Sequence, residues 1–275
     1  MNTSVALERI IRNNLDNKKS ILAFNIQTVV QLDAICLASK SLNKPVIAQF
    51  SSKYISYFDK NYGMAELARR YQRDMVFFHL DHCDNETLIK YCIDIGFSSV
   101  MYDGSRESID INIYNSNKYY KYAKKKSLIE VELGSVGGQE DGFGGHDLSY
   151  FKSHDLLRLK NEANFDLLAL GIGNIHGEYN SLSIVKIEML GLSNKLIGRF
   201  PLVLHGATGM SDDMILESIN HGVVKINFST NLKLKTLQLL KDYSTNAVKY
   251  EEMEFNDFMK SGLSVFFMQL INKYC

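Results

Sequence analysis

Apolar and polar positions follow two alternating periods along the chain. Short runs of β-branched and aromatic residues predict strands, and longer stretches with apolar residues every three or four positions predict helices. Eight runs predict strands, at 20–25, 45–51, 75–81, 98–103, 127–132, 166–173, 201–205 and 223–227. The stretches between and after them predict helices at 28–42, 62–72, 84–95, 106–125, 153–163, 182–195, 211–221 and 229–243. This alternation favours a closed (β/α)8 TIM barrel over a doubly wound open sheet, the competing α/β fold.

Three segments lie outside this alternation. The first 15 residues predict an amphipathic helix, and 251–275 predicts one or two further terminal helices. The loop 134–150 holds six glycines, and a glycine-rich loop over a barrel mouth is a candidate mobile lid. No linker interrupts the pattern, so we predict a single domain over 1–275.

Composition excludes several classes of partner. Lys plus Arg and Asp plus Glu are each 31, so no overall positive field favours nucleic acid. No stretch approaches the roughly 18 apolar residues of a membrane span, and the N-terminus lacks the apolar run of a signal peptide. The four cysteines have no zinc-finger spacing, and we expect reduced thiols in a cytoplasmic protein.

Three histidines fall at the carboxyl ends of different predicted strands, where TIM barrels place their chemistry. His82 follows the third strand, His176 the sixth, and His205 ends the seventh. Three protein ligands with an open fourth position are typical of a catalytic zinc ion. The pattern therefore predicts a metal site, although any one histidine could instead be a hydrogen-bonded structural residue.

The other histidines fall at different positions. His79, two residues before Asp81 and on the same strand face, is interpreted as a barrel-layer residue or a partner of a ligand. Loop or helix positions predict surface groups for His146, His154 and His221.

Three carboxylates accompany the strand-end histidines. Asp81 precedes His82, Glu132 ends the fifth strand, and Glu140 lies in the glycine-rich loop. A carboxylate beside a metal ligand can transfer a proton or orient the histidine, and the sequence leaves both roles open for Asp81. A lid could carry Glu140 to a substrate, or Glu140 could be a solvated charge.

Two segments, 205–213 and 225–231, are typical of anion-binding loops. Each leads from a strand into a helix, and backbone N–H groups at helix N-termini bind phosphate without a net positive charge. Loops after the seventh and eighth strands are frequent phosphate sites in barrels. Ordinary N-capping by Ser211 and Ser229 is the alternative.

Six motifs in chain order resemble the class II (zinc-dependent) ketose-bisphosphate aldolases of the fructose- and tagatose-bisphosphate type. They are AFNIQTVVQLDAICLASKSLNKPVI, HLDHCDNETLIKYCIDIGFSSVMYDGS, VELGSVGGQED, LALGIGNIHGEY, LVLHGATGM and KINFSTNLK. The resemblance implies a lyase of carbohydrate metabolism, such as glycolysis, that binds one Zn²⁺ per subunit. It also implies a homodimer or homotetramer with a phosphorylated sugar as substrate.

The resemblance implies a role for each matching position. The zinc ligands would be His82, His176 and His205, with Glu132 as an alternate ligand. Asp81 would transfer the proton of the hydroxyl from which the aldehyde forms, and Glu140 the α-proton of dihydroxyacetone phosphate. Contacts with the substrate, its phosphate and a monovalent cation (Na⁺ or K⁺) would come from Asn25, Ser51, Gly177, Gly206, Thr208, Asn227, Ser229 and Thr230.

The substrate-binding positions depart from the family pattern. The motif HGEYN carries Glu178 and lacks the lysine that is common there, Ala207 replaces a glycine, and Ser229 replaces aspartate or alanine. No arginine follows Arg199. We therefore expect complete metal and proton-transfer machinery with a weakened grip on a bisphosphate.

Several functions are compatible with these departures. The leading hypothesis is reversible cleavage and condensation of a ketose phosphate like fructose or tagatose bisphosphate, which gives dihydroxyacetone phosphate and an aldehyde. The departures favour an aldehyde other than glyceraldehyde 3-phosphate. A family aldolase for a specialised or non-bisphosphate sugar is an alternative, as is a non-catalytic sugar-phosphate-binding homologue. A zinc hydrolase or an epimerase on the same barrel is a further rival.

Overall fold

We analysed a computed structural model of the chain. It describes residues 3–73, 75–140, 143–145, 148–177, 185–247 and 250–275, with the backbone alone at 139–140 and 143–145. Within these ranges no helix is long and apolar enough to cross a membrane.

Ten strands form in the described part of the chain. They are β1 (Ile21–Asn25), β2 (Val46–Ser51), β3 (Val76–Cys83), β4 (Ser99–Tyr102), β5 (Leu128–Leu133), β6 (Gly138–Glu140), β7 (Phe143–Gly145), β8 (Leu167–Leu170), β9 (Leu202–Leu204) and β10 (Val223–Phe228). All except β6 and β7 pair in parallel and close into a barrel in the order β1-β10-β9-β8-β5-β4-β3-β2. The predicted TIM barrel is therefore confirmed, and all eight predicted strands are among its members.

Helices connect the strands and flank the barrel. They are α1 (Thr3–Asn17), α2 (Val29–Leu42), α3 (Ser52–Tyr62), α4 (Met64–Tyr71), α5 (Glu86–Asp94), α6 (Ile109–Ala123), α7 (Ser153–Glu162), α8 (Glu188–Ile197), α9 (Asp212–Asn220), α10 (Thr230–Asn246) and α11 (Glu252–Tyr274). Side-chain caps fix several starts, because Thr28, Asn85, Ser108 and Ser211 each accept a backbone N–H of the first turn. The terminal helices are the predicted ones, α11 being a single helix. The single domain over 1–275 stays a prediction.

Two local predictions were incomplete. The sequence indicated no helix between the strand at 45–51 and residue 62, yet α3 follows β2 directly and buries Ile55 and Phe58, three residues apart on one face. Its tyrosines and isoleucine favour strands, and that preference hid the helical spacing. The predicted loop 134–150 contains the antiparallel pair β6 and β7.

Helix α1 closes the amino-terminal end of the barrel. Its Leu7 and Ile11 are buried against apolar side chains of the barrel strands. These strand residues are Ile21, Ala23, Ile47, Phe77, Leu128, Leu167, Ala169, Val203 and Val224. The opposite end of the barrel, formed by the carboxyl ends of the strands, is therefore the one at which polar side chains can cluster.

Candidate active site

Strand β3 brings two consecutive residues, Asp81 and His82, to the same end of the barrel. Successive residues of a regular strand point to opposite faces. Here the pairing of β3 with β4 shifts between Leu80 and Cys83, and His82 has a φ of 39° in the left-handed region. This irregularity lets both side chains reach the mouth. Such backbone strain is typical of functional sites.

The three strand-end histidines converge. One ring nitrogen of each lies within 4.8 Å of the nitrogens of the other two, and all three residues are buried. His82 Nε2 and His205 Nδ1 are 2.9 Å apart. This donor set fits a divalent ion of the zinc type held by three imidazoles.

The outer nitrogens of two of these rings contact carboxylates. His82 Nδ1 lies 2.8 Å from Asp103 Oδ2, and His205 Nε2 lies 2.9 Å from Glu130 Oε1. Because a carboxylate accepts, we assign the N–H to the outer nitrogens, which leaves the inner lone pairs for a ligand. Although burial opposes it, Asp81 and Asp103 raise the pKa of His82 to about 10. A cation bound to His82 would compete with the proton that this raised pKa keeps on the ring.

Glu132 lies beside the same rings. Its Oε2 is 3.9 Å from His82 Nδ1 and 3.9 Å from His205 Nδ1, and it is buried with no hydrogen-bond partner among the described residues. Burial, with a contribution from Asp103, raises the pKa of Glu132 to about 8. An orphaned buried carboxylate oxygen next to three imidazoles is an additional donor for a cation.

Three amide side chains hold Asp81. Asn25 Nδ2 donates to Asp81 Oδ2 at 2.8 Å, Gln49 Nε2 donates to the same oxygen at 3.2 Å, and Asn227 Nδ2 donates to Oδ1 at 3.3 Å. Ser51 pairs in register with Asp81 on the neighbouring strand. The carboxylate is therefore fixed as an acceptor beside the histidine cluster.

The glycine-rich segment is hydrogen-bonded to the segment after β8 that carries His176. Gly137 N donates to Asn174 O at 3.1 Å, and His176 N donates to Gly137 O at 2.7 Å. Glu140 lies two residues beyond Gly138, but its side chain lies outside the described residues, as do His146 and Glu178. Of the predicted surface histidines, His154 is exposed and His221 is partly exposed.

The loops after β9 and β10 lie side by side at the mouth. Thr208 Oγ1 donates to Asn231 Oδ1, and Gly206, with a φ of 65°, packs so closely on Ile175 O that an added Cβ would lie 2.2 Å from it. Ser229 Oγ is buried without a partner in the described chain. Thr230 is the first residue of α10, and Gly177 follows His176 directly.

Anion binding and N-capping are the two alternatives for Ser211 and Ser229, and the structure differs between these two serines. Ser211 caps α9, as N-capping predicts, and Asp212 in the first turn accepts a 2.5 Å bond from Tyr274 Oη. Ser229 makes no side-chain cap at the start of α10. The first turn of α9 therefore carries acidic residues of its own, whereas the first turn of α10 carries none.

Sequence reasoning missed four polar residues of this end of the barrel. They are Gln49, Asp103, Glu130 and Lys225. Asp103 is the last residue of the predicted strand 98–103, and the other three lie within runs that resemble apolar strands. The two-residue spacing along a strand could have revealed three of them. Gln49, Glu130 and Lys225 each lie two residues before a predicted site residue and therefore share its strand face.

Comparisons with known proteins agree on one family. The family model described as fructose-bisphosphate aldolase class-II matches residues 5–271. A fructose-bisphosphate aldolase of Ureaplasma parvum serovar 3 is 36% identical over 256 residues, covering 90% of this chain and 86% of that protein. A 6-phospho-5-dehydro-2-deoxy-D-gluconate aldolase of Bacillus subtilis (strain 168) is 32% identical over 257 residues, covering 90% and 87%.

A solved structure supports the fold. The fructose-bisphosphate aldolase of Campylobacter jejuni superposes with a TM-score of 0.83 at 21% identity, covering 98% of this chain and 93% of that one. The family match spans nearly the whole chain, and the Ureaplasma relative exceeds 30% identity over most of both chains. The chain therefore belongs to the class II fructose-bisphosphate aldolase family and is a class II aldolase, a lyase.

Proposed function

We propose that this aldolase is zinc-dependent and cleaves a ketose phosphate reversibly to dihydroxyacetone phosphate and an aldehyde. The observation that carries the proposal is the convergence of three imidazole nitrogens beside the amide-held carboxylate of Asp81. His82, His176 and His205 would hold the ion, with Glu132 as an alternate ligand. When bound, zinc would supply a positive charge that stabilises the negative charge developing on the ketone oxygen.

Asp81 is the proposed base at the end that becomes the aldehyde. In the cleavage direction it accepts the proton of the hydroxyl whose carbon–oxygen bond becomes the aldehyde carbonyl. Its amide donors keep both carboxylate oxygens oriented while the proton moves. The neighbouring Asn25, Ser51 and Asn227 are proposed to contact the substrate.

Glu140 is the proposed acid–base residue at the other carbon. It would return the proton to the α-carbon of dihydroxyacetone phosphate after the carbon–carbon bond breaks. The backbone bonds between Gly137 and the His176 segment support this role, because they tie the base of the glycine-rich segment to the site.

The phosphate is proposed to lie over the loops after β9 and β10. Gly177, Gly206, Thr208, Ser229 and Thr230 are the residues assigned to it. Ser229 makes no side-chain cap at the start of α10, and its hydroxyl has no partner in the described chain. Both observations support this position, because N–H and O–H groups at a helix start favour an anion. A nearby Na⁺ or K⁺ rests on the resemblance alone.

The aldehyde partner is proposed to differ from glyceraldehyde 3-phosphate. A relative at 32% identity is named for a different substrate, 6-phospho-5-dehydro-2-deoxy-D-gluconate. This chain also lacks an arginine after Arg199, so that segment supplies no guanidinium for a second phosphate.

A substrate panel tests this proposal. Turnover of fructose 1,6-bisphosphate, tagatose 1,6-bisphosphate and singly phosphorylated ketoses would be compared at saturating zinc. We expect the highest kcat/KM on a ketose without a second phosphate. Preference for either bisphosphate by a wide margin would reject this assignment while leaving the metal site intact.

Location and assembly are proposals of the same kind. We propose a cytoplasmic homodimer or homotetramer acting in carbohydrate metabolism such as glycolysis. Light scattering on the purified protein would give the mass of the assembly, against 31.3 kDa for one chain. A mass of one chain at micromolar concentration would contradict the proposed oligomer.

A further inference from the structure

A pair of opposite charges lies inside the barrel, one layer below the histidine cluster. Glu130 and Lys225 have 0% and 1% of their surface exposed, and Lys225 Nζ donates to Glu130 Oε2 at 2.8 Å. Their register partners on the neighbouring strands are apolar: Leu167 beside Glu130, and Ile21 and Val203 beside Lys225. Two buried charges are costly to desolvate, so the pair is weak evidence for stability alone.

Glu130 joins this pair to one of the proposed metal ligands. Its Oε1 accepts from His205 Nε2 at 2.9 Å, while its Oε2 accepts from Lys225. Each oxygen of the carboxylate therefore serves one donor. With its proton held on Nε2, His205 presents the lone pair of Nδ1, the atom that lies 2.9 Å from His82 Nε2.

Lys225 is itself fixed on a second side. Its Nζ lies 3.2 Å from His79 Nε2, and His79 Nδ1 lies 2.7 Å from Ser99 Oγ. His79 is completely buried. A chain of contacts thus runs from β4 through His79 and Lys225 to Glu130 and His205, with no step through solvent.

We propose that Glu130, anchored by Lys225, is a positioning residue that fixes the tautomer and the ring orientation of His205 for the metal ion. The inference rests on the metal site of the proposed function. It assigns no contact with substrate to either residue. It predicts that the pair affects zinc affinity through His205.

The test uses Glu130→Gln and the double variant Glu130→Gln/Lys225→Met. Glutamine offers one acceptor oxygen where two donors meet, so either His205 or Lys225 loses its partner. We expect the zinc dissociation constant of Glu130→Gln, measured by chelator competition, to rise roughly 10- to 100-fold. In the double variant the remaining oxygen is free for His205, and we expect part of the affinity to return.

A matched control is present on the surface. Glu217 Oε1 lies 3.1 Å from His221 Nε2 in a partly exposed pair at the carboxyl end of α9. Glu217→Gln makes the same chemical change to a carboxylate–histidine pair, and we expect its zinc dissociation constant to equal that of the unmodified chain. A structural role alone would lower the melting temperature of the metal-free protein without changing zinc affinity.

The outcomes separate the two proposals. An unmodified chain that binds no zinc rejects the metal site and this inference together. Zinc binding by the unmodified chain with an unchanged dissociation constant in Glu130→Gln rejects the positioning role alone. If Glu130→Gln does not fold, the double variant Glu130→Met/Lys225→Met decides, because it buries no unpaired charge and offers His205 no acceptor. Zinc affinity equal to that of the unmodified chain in this variant overturns the inference.

Discussion

At the scale of single residues, Asp81 shows how the barrel orients the carboxylate that we propose as an acid–base group. Side-chain amides from β1, β2 and β10 donate to it, and the histidine cluster lies directly beside it. Such a carboxylate is oriented before substrate arrives, which avoids reorganisation during the reaction.

Replacement of Asp81 should therefore remove proton transfer and keep the metal. In Asp81→Asn we expect kcat to fall roughly 10²- to 10⁴-fold, the usual contribution of a positioned acid–base group. The zinc content should stay at that of the unmodified chain, since no imidazole is changed. Kinetics combined with metal analysis checks both parts. The control is Asp84→Asn, which changes an exposed carboxylate of the same segment. Full activity of Asp81→Asn would contradict the acid–base role of Asp81.

A second residue-scale prediction concerns Asp166, far from the histidines. It accepts a 2.8 Å bond from Ile129 N, and burial raises its pKa from 3.8 to about 6. A carboxyl group whose pKa is higher in the folded state binds its proton more tightly there. The stability that this proton gives is complete below about pH 4 and is lost as the pH rises to about 6.

Asp166→Asn keeps the acceptor oxygen and removes this loss. We expect its free energy of unfolding, relative to the unmodified chain, to rise between pH 4 and pH 6 by on the order of 1–2 kcal/mol and then to level off. Urea unfolding at a series of pH values measures it. If the difference in unfolding free energy between the variant and the unmodified chain is constant from pH 4 to pH 7, the pKa of Asp166 is not raised by folding.

The predictable part of the site lies at strand ends, and the missed part lies inside the strands. His82, His176 and His205 were identified because three imidazoles at equivalent strand ends are an unusual pattern. Glu130 and Lys225 were missed because single polar residues within apolar runs resemble ordinary strand alternation. Their partnership is a long-range contact between β5 and β10, and no local pattern encodes which strands become neighbours.

At the scale of elements, the segments that end β8 and β9 are held together by a glycine. Gly206 follows His205, and it packs on the carbonyl of Ile175, which precedes His176. Only a residue without a Cβ allows this approach, and the φ of 65° also favours glycine. The contact therefore sets the spacing between two of the proposed metal ligands.

Gly206→Ala should disturb both folding and the site. We expect a loss of roughly 1–3 kcal/mol of stability and weaker zinc binding, because the Ile175 backbone must move. Gly96→Ala is a matched control, since Gly96 has a φ of 90° but no atom within 4 Å of an added Cβ. It should lose stability through φ strain and keep its zinc affinity. Equal zinc affinity in both variants would rule out the spacing role.

The fold was predictable at this scale where its period was clear. The barrel followed from eight regular alternations of strand and helix. Helix α3 was missed because its aromatic residues resemble those of a strand, and only packing of Ile55 and Phe58 against the barrel decides the outcome. The pair β6 and β7 was missed because glycine-rich sequence has little pattern.

At the scale of the whole molecule, the two ends of the barrel have different tasks. Helix α1 and the inward apolar side chains close the amino-terminal end, and the polar cluster occupies the carboxyl end. The apolar cluster and the proposed site are thereby separated along the barrel axis, as is usual for this fold.

This separation predicts a substitution that weakens the fold and leaves the site intact. Leu7 is fully buried, so Leu7→Ala should cost about 2–5 kcal/mol of unfolding free energy. Below the unfolding transition its zinc affinity and kcat should match those of the unmodified chain. Val5→Ala, on the exposed side of α1 at 43% exposure, should stay within about 0.5 kcal/mol. Weaker zinc binding by folded Leu7→Ala would contradict the separation.

The most direct test is a zinc titration of the chelated protein, with aldolase activity followed at each addition. We predict that the stripped protein is inactive, that it binds one ion per chain, and that activity rises in proportion to binding. His176→Ala should fail to recover activity under the same additions. Undiminished cleavage of ketose phosphates after exhaustive chelation, or full recovery in His176→Ala, would contradict the account.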